Sequence, residues 1–527
     1  MSNILALPVL LPLFGAALTL VLGRAPKAQR AASISVLSVA VVIAAGLVYL
    51  TSTRGPIVLW VGDWPRPLGI ALVADRLSAL MLLVSAVMTL SVLVFSVSAD
   101  KTERARQTPV SIFHPTFLVL SAGVTNAFLA GDLFNLFVGF EMLLFASYVL
   151  ITLGGTGERV RAGTTYLVVN LLSSTLFLIA LAVIYAATGT VNMAQLSIRL
   201  GELPGELQSV LQFLLLIVFA IKAAVFPLSA WLPDSYPTAP APVTAVFAGL
   251  LTKVGVYSII RTQTLLFPDR HLSDLLMVAA LATMIIGILG AVAQTEIKRM
   301  LSFTLVSHIG YMIFGIALAS QAGLAGAIFY TVHHITIQTT LFLVAGLIEE
   351  RGGSTSLNEL GGLASVAPVL GVLFFIPAMN LAGIPPLSGF IAKLGLLRGG
   401  IENGSWLSYL LVAGGVLTSL LTLYAMAKIW TRAFWRSAPK GPELVEGPIT
   451  QPQGPELVEG PGTLAVDTPT ATATSTRTNM ITAAVLVLLG LGLTVAAGPL
   501  YHYADRAAAD LLDTAHYIRA VLPEGVR

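Results

Sequence analysis

Ionisable side chains stand singly inside several long apolar stretches of this sequence. Glu141 lies in DLFNLFVGFEMLLFASYVLITLGG, too deep and too short-stemmed to reach an interface. Lys222 and Lys253 lie well inside FLLLIVFAIKAAVFPLSAWLPDSYP and AVFAGLLTKVGVYSIIR. A charge at the centre of a membrane-spanning helix costs about 2.5–3.5 kcal/mol, so such a group indicates function by default. Because burial favours the neutral form and a nearby opposite charge favours the ionised form, these groups are suited to gain and lose protons.

A second set of candidates carries imidazole, which relays protons near neutral pH. His333 and His334 are adjacent in AIFYTVHHITIQTTLFLVAG, and Gln338 follows His334 by one helical turn on the same face. His308 lies near the start of its own apolar run, RMLSFTLVSHIGYM. A histidine on an apolar helix is often a satisfied core residue. The adjacent pair therefore favours function, whereas His308 fits either interpretation.

Two similar short segments interrupt apolar runs, PLSAW at 227–231 and PLSGF at 386–390. Proline removes a helical hydrogen bond, so each segment predicts a broken helix. A lysine lies close to each, Lys222 and Lys393. Paired broken spans in two halves of a chain are typical of inverted-repeat transporters, whose sites lie at the breaks. The competing interpretation, a lysine whose stem snorkels to the interface, is strongest for Lys393.

Membrane-spanning helices must position these groups, as the composition indicates. Of 527 residues, 56% are hydrophobic and 10% are charged, with a mean hydropathy of +0.87. A soluble domain carries about 25% charged residues. Since a spanning helix needs roughly 20 apolar residues, the sequence predicts an all-α integral membrane protein of about fourteen transmembrane helices. The apolar runs lie near 3–23, 31–50, 77–98, 113–131, 133–153, 164–187, 208–230, 240–262, 274–293, 300–319, 323–348, 367–398, 406–434 and 480–499.

Two of these runs, 367–398 and 406–434, are too long for simple spans, so we expect breaks or ends outside the membrane. Residues 437–479 differ in being rich in Pro, Gly, Thr and Glu, and they contain GPELVEGP at 441–448 and again at 454–461. Such a composition cannot bury a core. It predicts a disordered, dispensable linker.

The composition also argues against several classes of function. The net charge of +3 is small and spread over loops, so we expect no nucleic-acid partner. Cysteine is absent, which excludes disulfides and thiolate-held clusters. No P-loop, dinucleotide fingerprint or H-E-x-x-H motif occurs. The histidine pair has no nearby Cys or carboxylate at metal-ligand spacing. We therefore expect a transporter rather than an enzyme, without cofactor or metal.

Loop charges predict the orientation, because Lys and Arg collect on the cytoplasmic side. Alternate loops are strongly basic, and the intervening loops hold only scattered basic residues. This pattern places both termini outside the cytoplasm, with the first apolar run as a retained span rather than a signal peptide. The basic set is Arg24, Lys27, Arg30, Lys101, Arg104, Arg106, Arg159, Arg161, Lys298, Arg299, Arg432, Arg436 and Lys440.

Around the ionisable residues inside the apolar runs, the sequence resembles the proton-conducting membrane transporter family. Its members are the antiporter-like subunits of respiratory NADH–quinone oxidoreductase and the large subunits of Mrp-type sodium/proton antiporters. AFLAGDLFNLFVGFEMLLFASYVLI carries the family glutamate at Glu141, and IKAAVFPLSAWLPDSYPTAPAPVTAVFAGLLTKVGVY carries its lysines at Lys222 and Lys253. GIPPLSGFIAKLGLL carries the terminal lysine at Lys393. IKRMLSFTLVSHIGYM and FYTVHHITIQTTLFLVAGLIE are similarly typical.

Within the family, AGDLFNLFVGFE, WLPDSYPTAPAPVTA, HHITIQTTLF and the chain length resemble the D-type branch of the Mrp-type antiporter subunits. One departure is Gln338, where relatives commonly have a lysine; a glutamine can hold water but carries no charge. Either His334 takes the charge-carrying role, or this part of the path is tuned differently. The resemblance implies two inverted five-helix repeats, each with a broken helix. The expected organisation is N-terminal helices 1–112, first repeat 113–262, second repeat 274–436, linker 437–479, and last helix with tail 480–527.

The expected function is proton translocation within a multisubunit cation (sodium)/proton antiporter of the plasma membrane. Its expected partners are a large A-type subunit, small membrane subunits, protons, sodium ions and the lipid bilayer. The main alternative is a redox-driven subunit of a respiratory complex. A stand-alone solute transporter and a structural scaffold are further alternatives, although a scaffold leaves the buried charges unexplained. The expected proton path comprises Glu141, Lys222, Lys253, His333, His334, Gln338 and Lys393, with His308 as an additional candidate.

Overall fold

The protein is described by a computed structural model that covers residues 2–98, 110–268, 272–437 and 472–522. It is almost entirely helical there, as predicted. In the first half the helices are α1 (Leu7–Val21), α2 (Pro26–Arg54), α3 (Arg76–Ser98), α4 (Val110–Leu129), α5 (Leu133–Thr152), α6 (Gly157–Thr188), α7 (Met193–Gly201), α8 (Gly205–Ala223), α9 (Trp231–Ser235) and α10 (Ala241–Leu266).

The second half continues the helical pattern. Its helices are α11 (Ser273–Ala293), α12 (Ile297–Ala317), α13 (Gln321–Gly352), α14 (Leu363–Val366), α15 (Pro368–Ala382), α16 (Ser388–Asn403), α17 (Trp406–Trp435), α18 (Thr472–Val495), α19 (Ala497–Leu512) and α20 (Thr514–Val521). Short 3₁₀ turns add Ser2–Ala6, Val61–Asp63 and Tyr236–Thr238.

Thirteen helices in the described part are long and apolar enough to cross a membrane. They match thirteen of the predicted runs, and the remaining run, 367–398, is divided between α15 and α16. The expectation of a break in that run is met. The 406–434 run has no break: it is one continuous helix of 30 residues, α17, which is longer than the roughly 20 residues that a span needs and ends in a π-turn at Trp430–Trp435. Most of the predicted linker lies outside the described residues, although α18 already begins at Thr472, ahead of the predicted start at 480.

Three helices form the centre of the bundle. Nearly every residue of α10, α12 and α13 is buried, whereas outer helices such as α1 and α2 expose apolar faces. Large apolar side chains on the outside, for example Phe14, are the ones that lipid would cover. Polar groups on the three central helices are therefore shielded from lipid by the surrounding helices.

The first helix break follows Lys222. Helix α8 ends at Ala223, and Ala224 has a left-handed φ of 58°. The indole Nε1 of Trp231 donates to the carbonyl of Ile221 at 3.1 Å, and this carbonyl at the end of α8 also accepts the backbone N–H of Ala224 at 3.1 Å. The chain then runs through the short α9 and a 3₁₀ turn into α10. We call residues 224–230 the first break.

The second break lies between α15 and α16, at residues 383–387. Gly383 occupies the left-handed region with φ 87°, which suits the end of a helix. Here the freed carbonyls of Leu381 and Ala382 accept hydrogen bonds from the Nζ of Lys393, each at 3.0 Å. Both predicted interruptions are therefore real, and both lie beside the predicted lysine.

The described residues also contain a small hairpin that the sequence did not predict. Strand β1 (Ile57–Trp60) pairs antiparallel with β2 (Ala71–Ala74), from Ile57 opposite Ala74 to Trp60 opposite Ala71. Helices α7, α19 and α20 gather at the same end of the bundle as this hairpin. We call this end the hairpin face, and the opposite end, which carries Lys298 and Arg299, the basic face.

Candidate functional site

The Nζ of Lys222 lies in the last turn of α8 and is buried against α6. It donates to the carbonyl of Asn170 at 3.2 Å and to the hydroxyl of Ser174 at 3.0 Å. The same nitrogen lies 5.6 Å from the ring centroid of Phe140 on α5. Lys222 therefore joins three helices at the point where its own helix stops.

Glu141 follows Phe140 on α5 and interacts electrostatically with Lys222. The helices face each other at this level, since the rings of Phe140 and Phe219 stack with centroids 6.0 Å apart. Among the described residues the two charges form no direct ion pair within 4.0 Å. Glu141 is half-buried, so it is less enclosed than its apolar sequence context suggested, and its Oε1 has no hydrogen-bond partner.

A cavity of about 20 Å³ adjoins Lys222, lined by aromatic and polar side chains that include Tyr166, Asn170, Trp231 and Tyr236. A space of this size holds about one water molecule. The hydroxyl of Tyr166 is hydrogen-bonded to Ser147 at 2.6 Å, while the buried hydroxyl of Tyr236 has no partner. The cavity therefore offers polar groups on the side of Lys222 towards the first break.

Lys253 lies in α10 just after a π-turn at Phe247–Leu251. A π-turn displaces a backbone carbonyl from its regular partner, and such turns are frequent at functional sites. The Nζ of Lys253 donates to the carbonyl of Ala248 at 2.6 Å, and the side chain is fully buried. Lys222 and Lys253 do not touch, but their helices meet at Gly255. A Cβ there would lie 2.6 Å from the backbone nitrogen of Ala223.

His308 on α12 is fully hydrogen-bonded. Thr422 donates its hydroxyl to the carbonyl of Thr418 at 2.7 Å, so it must accept from the Nε2–H of His308 at 3.2 Å. The Nδ1 of His308 is then an acceptor, and Tyr330 donates to it at 2.7 Å. These contacts favour a satisfied, anchored histidine over a freely titrating one.

His334 differs from His308 although their ring centroids are only 5.3 Å apart. Both ring nitrogens of His334 are buried without a hydrogen-bond partner. Gln338, one turn further along α13, donates its Nε2 to the carbonyl of Leu301 at 2.8 Å, and its Oε1 has no partner. The predicted pair therefore lies together on one face, with unsatisfied groups on both residues.

His333 connects this cluster to the second break. Its Nδ1 lies 3.0 Å from the hydroxyl of Ser388, the first residue of α16, while its Nε2 has no partner. Lys393 on α16 interacts electrostatically with His333, His334 and His308. Its Nζ also lies 5.0 Å from the ring centroid of Tyr311.

The structure thus gathers the predicted residues into two groups. Glu141 and Lys222 form the first group. The second group comprises Lys253, His308, His333, His334, Gln338 and Lys393, in which Lys253 acts electrostatically on His308 and His334. Two central helices whose residues are nearly all buried, α12 and α13, carry the histidines of the second group.

The sequence analysis did not identify the residues that form hydrogen bonds with the lysines and histidines or lie beside those bonds. They include Tyr330, Thr422, Ser388, Asn380 and Trp231, which donate or accept the hydrogen bonds described above or border them. Asn380 and Ser388 flank the double proline of the second break, and a polar residue beside such a break is the signal that could have found them. Tyrosines and threonines within apolar runs carry no comparable signal.

Two charged regions lie outside this row of residues. On the basic face, a cavity of about 500 Å³ is lined by Asp234, Glu296, Lys298, Arg299 and Glu349, among others. Lys298 pairs with Glu349 at 2.6 Å, and Arg299 pairs with Asp234 at 2.8 Å. The segment that includes Asp234 runs between this cavity and the one beside Lys222.

On the hairpin face, Asp75 and Arg261 form a buried ion pair at 2.6 Å. Burial by itself raises the pKa of Asp75, but attraction to Arg261 and hydrogen bonds from Arg261 and Ser78 outweigh it and hold that pKa below its usual value. Asp132, at the start of α5, accepts from the backbone N–H of Asn135 at 2.7 Å. Burial raises the pKa of Asp132 to about 6.

Within the described residues, no group of three or more His, Asp or Glu side chains lies close enough together to hold a metal ion.

The family model "NADH:quinone oxidoreductase/Mrp antiporter, TM" matches residues 130–422, which is more than half of the chain. The chain belongs to this family. It is 38% identical to the D subunit of the Na(+)/H(+) antiporter from Alkalihalophilus pseudofirmus, across 99% of this chain and 100% of that protein. It is 40% identical to the protein of the same name from Bacillus subtilis, across 84% of this chain and 89% of that one.

A solved structure gives the same result. One chain of the Mrp complex from Dietzia sp. DQ12-45-1b superposes with a TM-score of 0.85 at 35% identity, across 99% of this chain and all of that chain. The predicted family, its D-type branch and the all-α, multi-pass membrane fold are therefore confirmed. The five-helix repeats and the roles of individual residues stay predictions.

Proposed function

We propose that this chain is a proton-translocating subunit of a Mrp-type multisubunit sodium/proton antiporter. The observation that carries the proposal is the placement of Lys222, Lys253 and Lys393. Each is buried, and each lies at a helix break or a π-turn within the apolar bundle. Irregular backbone is tolerated at membrane depth only inside protein or beside water. The names of the two relatives, both D subunits of Na(+)/H(+) antiporters, support the same function.

The proton path in this proposal starts at Lys222 with Glu141 as its electrostatic partner. It continues through Lys253 and the histidine cluster to Lys393. Buried polar groups that lack a protein partner are normally satisfied by water. Water along the path would join groups that do not touch, such as Lys222 and Lys253. Unpartnered atoms that line this route are Glu141 Oε1, Tyr236 OH, Thr252 Oγ1, both ring nitrogens of His334, Gln338 Oε1, His333 Nε2 and Asn380 Nδ2.

The orientation and the repeats complete the proposal. The basic face lies in the cytoplasm and the hairpin face outside it, with both termini on the outer side of the plasma membrane, as the distribution of Lys and Arg supports. Residues 113–262 and 274–436 form the two inverted repeats, and the two breaks, 224–230 and 383–387, support that division.

The partners in this proposal are the other subunits of the antiporter. One supporting observation is the superposition on a chain of the Dietzia Mrp complex. Large apolar side chains that remain exposed, such as Phe14 and Val42, suit contact with lipid or with neighbouring subunits.

A reconstitution experiment tests the function. The complex that contains this chain is purified, inserted into liposomes with an internal pH dye, and given a sodium gradient. A role in antiport predicts a pH change driven by the sodium gradient alone, and loss of that change with Lys222→Ala in a fully assembled complex. Proton movement that needs an electron donor and ignores sodium would instead support the respiratory alternative.

A further inference from the structure

The second break contains a chain of hydrogen bonds whose directions can be assigned one after another. The backbone N–H of Gly389 donates to the Oδ1 of Asn380 at 2.8 Å. A backbone N–H can only donate, so this contact fixes which end of the Asn380 amide is the oxygen. The hydroxyl of Ser388 lies 3.2 Å from the same oxygen and must donate to it.

The assignment then reaches His333. The Oγ of Ser388 has one proton, which is committed to Asn380, so it can only accept from the ring of His333 at 3.0 Å. The Nδ1 of His333 therefore carries the proton when the ring is neutral. Its Nε2 then carries a lone pair, which is buried and has no protein partner.

Gly389 keeps that lone pair accessible. A Cβ at this position would lie 3.0 Å from the Nε2 of His333 and 2.0 Å from the carbonyl of Asn380. No side chain fits there. The free nitrogen is thus bordered by a glycine on the break, with Lys393, His334, His308 and Tyr330 as the ionisable groups that interact with or pack against the ring.

His308 shows the opposite arrangement. Its Nε2–H donates to Thr422, its Nδ1 accepts from Tyr330, and neither nitrogen is left over. The two rings therefore differ in tautomer, and only the ring of His333 has a nitrogen without a hydrogen-bond partner, although both rings are on central helices.

We propose that Asn380 and Ser388 are positioning residues that hold neutral His333 in its Nδ1–H tautomer and so make Nε2 its proton-accepting atom. The inference rests on the proposed proton path. In the transfer step, Nε2 accepts a proton from water of the proposed path to give imidazolium, while Nδ1–H stays bonded to Ser388. The proton then leaves from Nε2 to water of the same path, which restores the neutral Nδ1–H tautomer, so the ring need not rotate between uptake and release.

A spectroscopic experiment tests the tautomer directly. Histidine in the assembled complex is labelled with ¹⁵N, the complex is placed in lipid bilayers, and solid-state NMR distinguishes protonated from unprotonated ring nitrogens. The difference between wild type and His333→Gln isolates this ring. We expect a protonated Nδ1 and an unprotonated Nε2 in the neutral state. A protonated Nε2 overturns the inference.

Three variants test the positioning role. Ser388→Ala removes the acceptor for Nδ1–H, so we expect a mixture of tautomers and about fivefold slower sodium-driven exchange, the effect of one hydrogen bond of about 1 kcal/mol. Ser388→Thr keeps the hydroxyl and should keep both the tautomer and the rate. Thr494→Val is the matched control, because Thr494 accepts the backbone N–H of Ser388 at 2.9 Å but lies outside the chain of bonds to His333. It should leave the His333 signals unchanged.

Each other outcome counts against the positioning role. An unchanged tautomer and rate in Ser388→Ala overturns it. So does an equal loss of exchange in Ser388→Ala and Thr494→Val without any change of tautomer, which would mean that Ser388 only shapes the break. Failure of the proposed function is distinguishable: it appears as absent sodium-driven exchange in the wild-type complex, where the NMR spectrum still reports the tautomer.

Discussion

The two helix breaks have similar sequences, yet the carbonyls at their helix ends accept hydrogen bonds from different donors. At the first break the indole of Trp231 donates to Ile221, and Lys222 reaches across to Asn170 and Ser174 on another helix. At the second break the lysine itself donates to two freed carbonyls. The carbonyl of Ile221 thus accepts from Trp231 and from the backbone N–H of Ala224, whereas Lys393 is the donor to Leu381 and Ala382.

This difference indicates different roles for the two lysines, one in proton transfer and one in stabilising a helix break. A hydroxyl can donate to the lone pair of a neutral amine or accept from an ammonium, whereas a carbonyl can only accept. With Ser174 as a partner, Lys222 is accommodated in both protonation states. Lys393 donates N–H groups to the carbonyls of Leu381 and Ala382. We therefore expect Lys222 to matter mainly for proton transfer, and Lys393 to matter for both transfer and the stability of the break.

The largest expected effect is at Lys222. Lys222→Ala should abolish sodium-driven pH changes in everted vesicles while the complex stays assembled. Lys222→Arg should fail as well, because arginine is effectively never deprotonated and cannot relay a proton. Lys428→Arg is a matched control: Lys428 donates to the carbonyls of Val292 and Gln294, a task that arginine can also perform. Wild-type exchange in the Lys222→Arg variant would refute a deprotonating role.

A stability measurement sharpens the contrast between the two lysines. Lys393→Met leaves the carbonyls of Leu381 and Ala382 without donors, at a cost of about 1–3 kcal/mol for each buried group. Lys222→Met leaves a hydroxyl that can reorient and the carbonyl of Asn170, which lies inside the regular helix α6. The purified complex should therefore melt at a lower temperature with Lys393→Met than with Lys222→Met. Equal melting temperatures would remove the proposed supporting role of Lys393.

The third prediction concerns the histidine cluster beside the second break. If His334 carries charge in place of the lysine that relatives have at Gln338, His334→Ala should lower exchange severely. Gln338→Lys on the same helical face should make that loss milder by supplying a second carrier. Exchange rates of the two single variants and the double variant give a double-mutant cycle. Strict additivity would mean that the two residues act independently, and the compensation hypothesis would be wrong.

Some of this arrangement could be predicted from the sequence, and the reasons are physical. Long apolar runs fix the membrane-spanning helices because lipid leaves the backbone no other partner, and prolines mark the breaks. The partners of the lysines could not be predicted, since Trp231 with Ile221 and Lys393 with Leu381 are contacts between separate elements. The half-burial of Glu141 was also missed, because a single sequence does not show which face of α5 turns outward.

A smaller effect is expected at Glu141. It acts on Lys222 without an ion pair within 4.0 Å, so the attraction is weaker than the roughly 4 kcal/mol of two charges 4 Å apart at an effective dielectric constant of about 20. Glu141→Gln keeps the shape and removes the charge, so exchange should fall by about tenfold, the effect of about 1.4 kcal/mol, rather than disappear. Initial rates in everted vesicles measure this. A complete loss, equal to that of Lys222→Ala, would indicate that Glu141 itself carries protons.

The smallest expected effect is that of shortening the segment that precedes α18. This helix contributes Thr494 to the second break, where its hydroxyl accepts the N–H of Ser388. The repeated segment 441–461 lies outside the described residues and precedes α18 in the chain. The position of α18 is already set by its packing against α3, α13 and α15. Deletion of 441–461 should therefore leave exchange within about twofold of wild type, because a segment rich in Pro, Gly, Thr and Glu is not expected to bury a core. Loss of transport in an assembled complex would contradict this, and it would mean that the second break, unlike the first, depends on a segment far from it in sequence.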